Sequence, residues 1–160
     1  MDTSLVILAA GKSSRFGGEP KMLSKVGPSS ETLFEISLMQ VTKYFNISHL
    51  YLVVGPHNEQ VIRHAIDRMN INKLYNCKIT ITIQEEARGT AHALNTLSNL
   101  ILKPFILMNS DDLYGEETFK EFSEKMNVKS NYVIGYPIGK TLPEKDPANR
   151  AFIEYNKEHN

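Results

Sequence analysis

The segment from Gly11 to Lys21 combines the residue types that binding a phosphate group requires. Its successive backbone N–H groups, together with the hydroxyls of Ser13 and Ser14, can form a concave nest for an anion. Arg15 and Lys21 add fixed positive charge and charge-assisted hydrogen bonds. The segment matches neither the Walker A pattern nor G-x-G-x-x-G. Its composition leaves two interpretations open, a phosphate-binding loop and a flexible surface loop with two solvated cations.

A second cluster starts at Gln84, where an apolar run ends. A side-chain amide can match the donor and acceptor edge of a nucleobase. Gly89 permits close approach of the backbone to a ligand, and Thr90 can cap a following helix. The alternative is a plain strand-to-helix connection with a cap. We interpret His92 as a helix-surface or packing residue rather than a catalytic base, because no carboxylate or serine stands at a suitable spacing.

The third cluster, Asn109 to Gly115, contains Asp111 and Asp112. Carboxylate oxygens directly after a strand suit Mg²⁺, which proteins usually bind alongside substrate phosphates and waters. Acidic residues here would equally suit the start of a helix, where they interact favourably with the helix dipole. Because the two aspartates face opposite ways, we predict Asp111 as the metal ligand and Asp112 as the lesser candidate.

The three clusters follow apolar runs that alternate with amphipathic runs, and this alternation predicts strands joined by helices. The predicted strands are Leu5–Ala9, Leu50–Val54, Lys78–Gln84, Phe105–Met108 and Tyr132–Tyr136. The predicted helices are Glu31–Phe45 with Ser30 as its cap, a helix from the cap Asn58 through Met69, Thr90–Leu100, and Glu116–Met126. This pattern indicates an α/β fold with a doubly wound, mostly parallel sheet in three layers, Rossmann-like. Ligands bind such sheets beyond the carboxyl ends of the strands, where all three clusters stand.

Composition and charge exclude several classes of protein. The 160 residues suit one domain, and 18 basic against 18 acidic residues give no excess charge. We therefore expect no nucleic-acid and no membrane partner. The single Cys77 excludes an intramolecular disulfide framework. The first apolar run, Leu5 to Ala10, is far shorter than a membrane span, so we predict a soluble, cytoplasmic protein.

The order of the clusters resembles the nucleotidyltransferase family that joins a nucleoside triphosphate to a sugar phosphate or a related phosphorylated acceptor. That family carries a pattern like G-x-G-[ST]-R with a later P-K, then Q with G-T-A, then an aspartate at a strand end. The matching residues are Gly11, Ser14, Arg15, Pro20, Lys21, Gln84, Gly89, Thr90, Ala91 and Asp111. The segment 147–151 is similar to the family's N-R-G turn, with Ala151 in place of glycine.

The resemblance implies a nucleotide-diphospho-sugar transferase-like fold and a role for each matching residue. The implied nucleotide-binding residues are Leu8, Ala9, Ala10, Gly11, Ser13, Ser14, Arg15, Gln84, Gly89 and Thr90. Arg15 and Lys21 would be the catalytic residues, stabilising charge on the α-phosphate and the departing pyrophosphate. Gln84 would read the base, and Asp111 would hold Mg²⁺. The implied partners are a nucleoside triphosphate and a phosphorylated small-molecule acceptor.

Two features of the sequence keep other functions open. Ser13 stands where sugar-nucleotide members often have a second glycine, and the A-A-G-x-S-S-R form here resembles cytidylyltransferases and molybdopterin-type members instead. A cytidylyltransferase that uses an acceptor other than a sugar is therefore a further alternative. The chain is also shorter than the family's usual domain. We therefore expect a single nucleotide-binding domain over 1–160 that forms the N-terminal part of a longer nucleotidyltransferase domain, with weak turnover on its own. A nucleotide-binding or regulatory module without catalysis is the alternative, and a homo-oligomer is compatible with either.

Overall fold

The structure is a computed structural model, and it describes residues 2–11, 19–101, 103–126, 130–137, 139, 141 and 153–154. The chain divides into two compact units, residues 1–125 and residues 126–160. The first unit contains every strand and helix named below. No helix of the described segments is long and apolar enough to cross a membrane.

The described residues of the first unit form four strands and five α-helices. The strands are β1 (Asp2–Ala9), β2 (Asn46–Val54), β3 (Lys78–Ile83) and β4 (Phe105–Asn109). The helices are α1 (Leu33–Thr42), α2 (Glu59–Met69), α3 (Ile71–Leu74), α4 (Thr90–Asn95) and α5 (Glu116–Lys125), and a short 3₁₀ helix spans Lys21–Leu23. The strands form one sheet in the order β3-β2-β1-β4, and each neighbouring pair is parallel.

Both faces of the sheet are covered. On one face, Val6, Tyr51 and Val53 of the strands pack against Ala93 of α4 and against Leu97, which follows that helix. Successive residues of a strand point to opposite faces, and Leu5 and Leu50 on the other face are also fully buried. Apolar residues on both faces explain why the central strands read as continuous apolar runs. The predicted α/β fold with a doubly wound parallel sheet is confirmed.

The start of α1 differs from the prediction. Ser30 does not cap the helix, because its φ of 69° places it in a left-handed turn, whereas a cap residue adopts an extended backbone. Thr32 caps α1 instead: its hydroxyl oxygen accepts a hydrogen bond from the backbone N–H of Glu35, and the Glu35 carboxylate accepts one from the backbone N–H of Thr32. This reciprocal capping box was visible in the sequence as T-x-x-E.

Two other predicted elements are corrected. The predicted helix Thr90–Leu100 ends at Asn95, and turns follow. The predicted strand Tyr132–Tyr136 is not formed, because residues 131–137 have no regular secondary structure and Val133 is 76% exposed. An apolar run alone does not make a strand, since a strand also needs a neighbour with which to share a hydrogen-bonded ladder. The segment 147–151 lies outside the described residues.

Candidate active site

The strand order creates a switch point between β1 and β4. Strands β2 and β3 follow β1 on one side, and β4 lies on its other side. Leu8 of β1 pairs with Asn109 of β4, and the Ser110 N–H donates to the Leu8 carbonyl at 3.0 Å. The ladder therefore continues to the last residue before Asp111. In open parallel sheets a ligand binds beyond the carboxyl ends of the strands at such a point.

Lys21 reaches this point from the loop that follows β1. Pro20 and Met22 on either side are buried, while Lys21 is partly exposed and lines the cleft beyond the strand ends. The two buried neighbours anchor the 3₁₀ helix and leave the lysine directed at the cleft. Its Nζ lies 3.5 Å from Oδ2 of Asp111. The pair combines a cation and a hard oxygen ligand at one end of the cleft.

Gln84 lies at the carboxyl end of β3, on the opposite edge of the sheet. Its backbone N–H donates to the Val54 carbonyl at 2.8 Å, so the β2–β3 ladder extends one residue beyond β3. The residue is 5% exposed and lines the same cleft. Three inter-strand spacings separate β3 from β4, which is about 14 Å at about 4.8 Å each. The cleft thus offers an amide at one end and the Lys21–Asp111 pair at the other.

Two glycines line the cleft, and the backbone conformation requires glycine at only one of them. Gly89 has φ +90° and ψ −179°, a backbone conformation that side chains disfavour. Gly11 has no such conformation, and a Cβ added there would meet no atom of the described residues within 4 Å. The described part of the fold therefore does not require glycine at position 11. The open space beside its backbone leaves room for close approach of a ligand.

A turn between β2 and α2 supports the end of β1. Asn58 is 3% exposed; its Nδ2 donates to the Ala9 carbonyl at 2.8 Å, and its Oδ1 accepts from the Gly55 N–H at 2.9 Å. The His57 ring packs over Gly55 so closely that an added Cβ would lie 2.5 Å from Cε1. His57 Nε2 also lies 3.3 Å from the Gly11 carbonyl oxygen. Asn58 occupies the predicted N-cap position of α2, but its side chain makes no capping hydrogen bond and instead connects the end of β1 with the residue that follows β2.

The cleft has a volume of about 510 Å³, within the usual range for small-molecule sites. It brings together most of the residues predicted from the sequence: Leu8, Ala9, Ala10, Gly11, Lys21, Gln84, Gly89, Thr90 and Asp111. Thr90 is the first residue of α4, and Gly89 takes the cap position assigned to it. The predicted residues Ser13, Ser14 and Arg15 lie outside the described residues, so their roles stay predictions.

The two aspartates have different surroundings. Asp111 lines the cleft and faces Lys21, whereas Asp112 is not among the described residues that line it. The Asp112 Oδ2 instead accepts from Asn109 Nδ2 at 3.0 Å. The backbone N–H of Asn109 donates to the Tyr114 hydroxyl at 2.8 Å. This loop is thus braced by its own side chains, with Asp111 left facing the cleft.

The helix after this loop is held by contacts with the two residues that follow α1. The Tyr44 hydroxyl donates to Glu116 Oε1 at 2.7 Å, and Lys43 forms an ion pair with the same carboxylate. The hydrogen bonds from Lys43 and then Tyr44 hold the pKa of Glu116 below its ordinary value. Glu116 is the first residue of α5. These contacts fix the far end of the loop that carries Asp111.

Two residues of the site were assigned other roles from the sequence. Asn58 was assigned to a helix cap, and its contact with Ala9 depends on a pairing of distant segments that local spacing does not reveal. The sequence shows no acidic or serine partner for His92, but its Nδ1 lies 3.0 Å from Nε2 of Gln84. The sequence did contain a signal for this contact, because only eight residues separate Gln84 and His92 across a short strand-to-helix connection.

Comparison with known proteins supports the same assignment of fold and family. Residues 5–122 match the model of the MobA-like NTP transferase domain. The bifunctional protein GlmU of Methanococcus maripaludis strain C7 is 27% identical over 136 residues, covering 82% of this chain and 30% of that protein. GlmU of Mycolicibacterium gilvum is 35% identical over 94 residues, covering 58% of this chain and 18% of that protein. The chain thus spans less than a third of these relatives.

Among solved structures, a putative glucose-1-phosphate thymidylyltransferase from Bacillus anthracis superposes with a TM-score of 0.60 at 18% identity, covering 77% of this chain and 51% of that one. This likeness concerns the fold, and it agrees with the parallel sheet described above. The family assignment depends on the match over residues 5–122, which covers most of the first unit and every described residue of the cleft. The chain belongs to the MobA-like NTP transferase domain family.

Proposed function

We propose that this chain carries the nucleotide site of a nucleotidyltransferase, which transfers a nucleoside monophosphate from its triphosphate to a sugar phosphate and releases pyrophosphate. The observation that carries the proposal is the approach of Lys21 to Asp111 at the switch point of the sheet, in the cleft that Gln84 also lines. The cleft offers the Gln84 amide for a base, the Lys21 ammonium for a triphosphate and the Asp111 carboxylate for a metal cation. The nucleotide sugar formed in this reaction would be a product of sugar-nucleotide biosynthesis.

The proposed orientation places the base at Gln84 and the phosphates near Lys21. Gln84 supplies amide hydrogen-bonding groups for a base edge. The backbone at Ala10 and Gly11 lines the cleft between the two ends, with free space beside Gly11. The separation of about 14 Å between β3 and β4 suits an elongated ligand that is aromatic at one end and anionic at the other.

The donor set fits Mg²⁺ held jointly by protein and substrate. No group of three or more His, Cys, Asp or Glu side chains converges in the described part of the chain, so a cage made of protein ligands alone is not found there. Asp111 would contribute a carboxylate, with phosphates and waters as the remaining ligands. A bound Mg²⁺ would supply positive charge to the phosphates.

In the proposed reaction a phosphate oxygen of the acceptor attacks the α-phosphorus in line with the departing pyrophosphate. One P–O bond forms to the acceptor, and the bond between the α-phosphorus and the bridging oxygen breaks. Lys21, and Arg15 by the sequence resemblance, stabilise the negative charge that develops on the phosphates. The chain's residues thus act by positioning and charge stabilisation, and no covalent enzyme intermediate is needed.

A pyrophosphate-release assay tests this proposal. The chain is incubated with each of five nucleoside triphosphates, with and without Mg²⁺, and with a panel of sugar 1-phosphates as acceptors. We expect weak release that requires both Mg²⁺ and an acceptor, and that Lys21→Ala reduces it. Nucleotide binding without any release would favour the alternative, a nucleotide-binding module without catalysis.

A further inference from the structure

Residues 55–58 connect β2 with α2, and this turn contacts the backbone carbonyl groups at the end of β1. The Ala9 carbonyl accepts a hydrogen bond from Asn58 Nδ2 at 2.8 Å. The Ala10 carbonyl oxygen lies 3.3 Å from the position that a Cβ on Gly55 would occupy, so it lies directly beside this glycine. Two successive carbonyl groups at the end of β1 are therefore in contact with the turn.

His57 of the same turn contacts the next carbonyl group, that of Gly11. Its Nε2 lies 3.3 Å from the Gly11 carbonyl oxygen. Because a carbonyl oxygen only accepts hydrogen bonds, the proton of this contact belongs to Nε2 of the ring. The ring reaches Gly11 by lying over Gly55, where an added Cβ would lie 2.5 Å from Cε1 and 2.7 Å from Nδ1. Glycine at position 55 thus provides the space that the His57 ring occupies.

The backbone N–H groups of Ala10 and Gly11 point away from this turn. In a trans peptide group the N–H and C=O bonds point in opposite directions, and the described chain has no cis peptide bond. These two N–H groups share their peptide groups with the carbonyls of Ala9 and Ala10, which contact the turn. Among the described residues, none accepts a hydrogen bond from either N–H. Ala10 and Gly11 both line the cleft, so two backbone donors are available there.

We propose that His57 is a positioning residue for the phosphate chain of the nucleotide, because it holds the Gly11 carbonyl against the turn. This inference rests on the proposed function. A carbonyl oxygen directed at a phosphate would repel it, since both carry negative charge, whereas backbone N–H groups donate hydrogen bonds to it. His57 is not among the described residues that line the cleft, so it acts through the backbone of Gly11. The effect concerns the phosphates, and it is therefore the same for every base.

A packing role is the alternative explanation for His57, since its ring lies over Gly55. The two roles predict opposite results for two substitutions. His57→Phe keeps a ring over Gly55 but loses the donor. His57→Gln loses the ring but keeps an Nε2 donor at the same number of bonds from Cα as in histidine. If His57 acts by donating to Gly11, only His57→Phe weakens binding; if it acts by packing, only His57→Gln does.

The test measures dissociation constants by calorimetry for ATP, CTP, GTP, UTP and dTTP, each with Mg²⁺, with the 160-residue chain and its variants. His64→Phe is the matched control, since His64 is exposed on α2 and is not among the described residues of the cleft. Urea unfolding shows that each variant is folded. If His57→Phe does not fold, His57→Leu, which also lacks a donor, provides the same comparison.

We expect the variant without a donor to bind each triphosphate that the unsubstituted chain binds about threefold to tenfold more weakly, the contribution of one hydrogen bond. His57→Gln and His64→Phe should bind as tightly as the unsubstituted chain. Unchanged affinity in the variant without a donor, or an equal loss in His57→Gln, would overturn the inference while leaving the proposed function standing. If the unsubstituted chain binds none of the five triphosphates, the proposed function is overturned together with the inference.

Discussion

Lys21 Nζ and Asp111 Oδ2 lie 3.5 Å apart, although Lys21 begins the 3₁₀ helix that follows β1 and Asp111 lies in the loop that follows β4. Their proximity results from the strand order, which makes β1 and β4 neighbours with their carboxyl ends aligned. Both side chains are partly exposed, so the pair by itself contributes little to stability. We infer that the role of the pair is to present an ammonium group and a carboxylate to a ligand.

Lys21→Ala should weaken binding of a nucleoside triphosphate. The change removes a charge-assisted hydrogen bond worth about 1.5–3 kcal/mol, which corresponds to about a ten- to hundredfold loss of affinity. Calorimetric titration with a triphosphate and Mg²⁺ measures it. Lys25→Ala is the matched control, since Lys25 is exposed and is not among the described residues of the cleft. Equal effects of the two substitutions would contradict a specific role for Lys21.

Asp111→Asn should reduce the Mg²⁺ dependence of nucleotide binding more than Asp112→Asn does. Asp111 lines the cleft, whereas the Asp112 carboxylate accepts a hydrogen bond from Asn109. The apparent affinity is measured across a series of Mg²⁺ concentrations for both variants. The assignment of the ligand is wrong if the two substitutions shift the Mg²⁺ curve equally.

Gly11→Ala should weaken nucleotide binding without destabilising the fold. The added Cβ meets no atom within 4 Å in the part of the chain that the structure describes, and the φ of Gly11 is not in the left-handed region. We therefore expect the free energy of unfolding to change by less than about 0.5 kcal/mol. Nucleotide affinity should nevertheless fall, because the methyl group enters space beside the backbone. Urea unfolding and triphosphate titration of the same variant check both results. A destabilised protein, or unchanged affinity, would refute this account of Gly11.

Asn58→Ala should destabilise the fold. The side chain joins the Ala9 carbonyl to the Gly55 N–H, and its loss leaves two buried polar groups without those partners. Each unsatisfied group costs about 1–3 kcal/mol, so a loss of about 2–6 kcal/mol is expected in urea unfolding. The exposed Asn72→Ala is the control and should be nearly neutral. A loss below about 0.5 kcal/mol in Asn58→Ala would show that water replaces both hydrogen bonds.

The sheet and the position of the cleft were predictable from local patterns. Runs such as Leu5–Ala9 have too many consecutive branched apolar residues for an exposed strand, and such runs joined by helices indicate parallel pairing. The clusters after each run then had to meet at one edge of the sheet. Gln84 and Asp111 were found in this way, and both line the cleft.

What the sequence did not reveal depends on contacts between distant residues. The contact of Asn58 with Ala9 requires the pairing of β1 with β2, and the pairing of strands is decided by packing of the whole sheet. The apolar run Tyr132–Tyr136 illustrates the opposite error, since the local pattern of a strand was present without a ladder in the described structure. His92 was missed because its partner is an amide rather than an acid.

The most direct test of the central claim is a thermal-unfolding panel of the 160-residue chain with ATP, CTP, GTP, UTP and dTTP, each with Mg²⁺. A ligand that binds only the native state raises the unfolding temperature as its concentration increases. We predict a concentration-dependent rise with at least one triphosphate, lost in Lys21→Ala and retained in Lys25→Ala. If none of the five triphosphates raises the unfolding temperature, the result would contradict a nucleotide site at the carboxyl ends of β1 and β4.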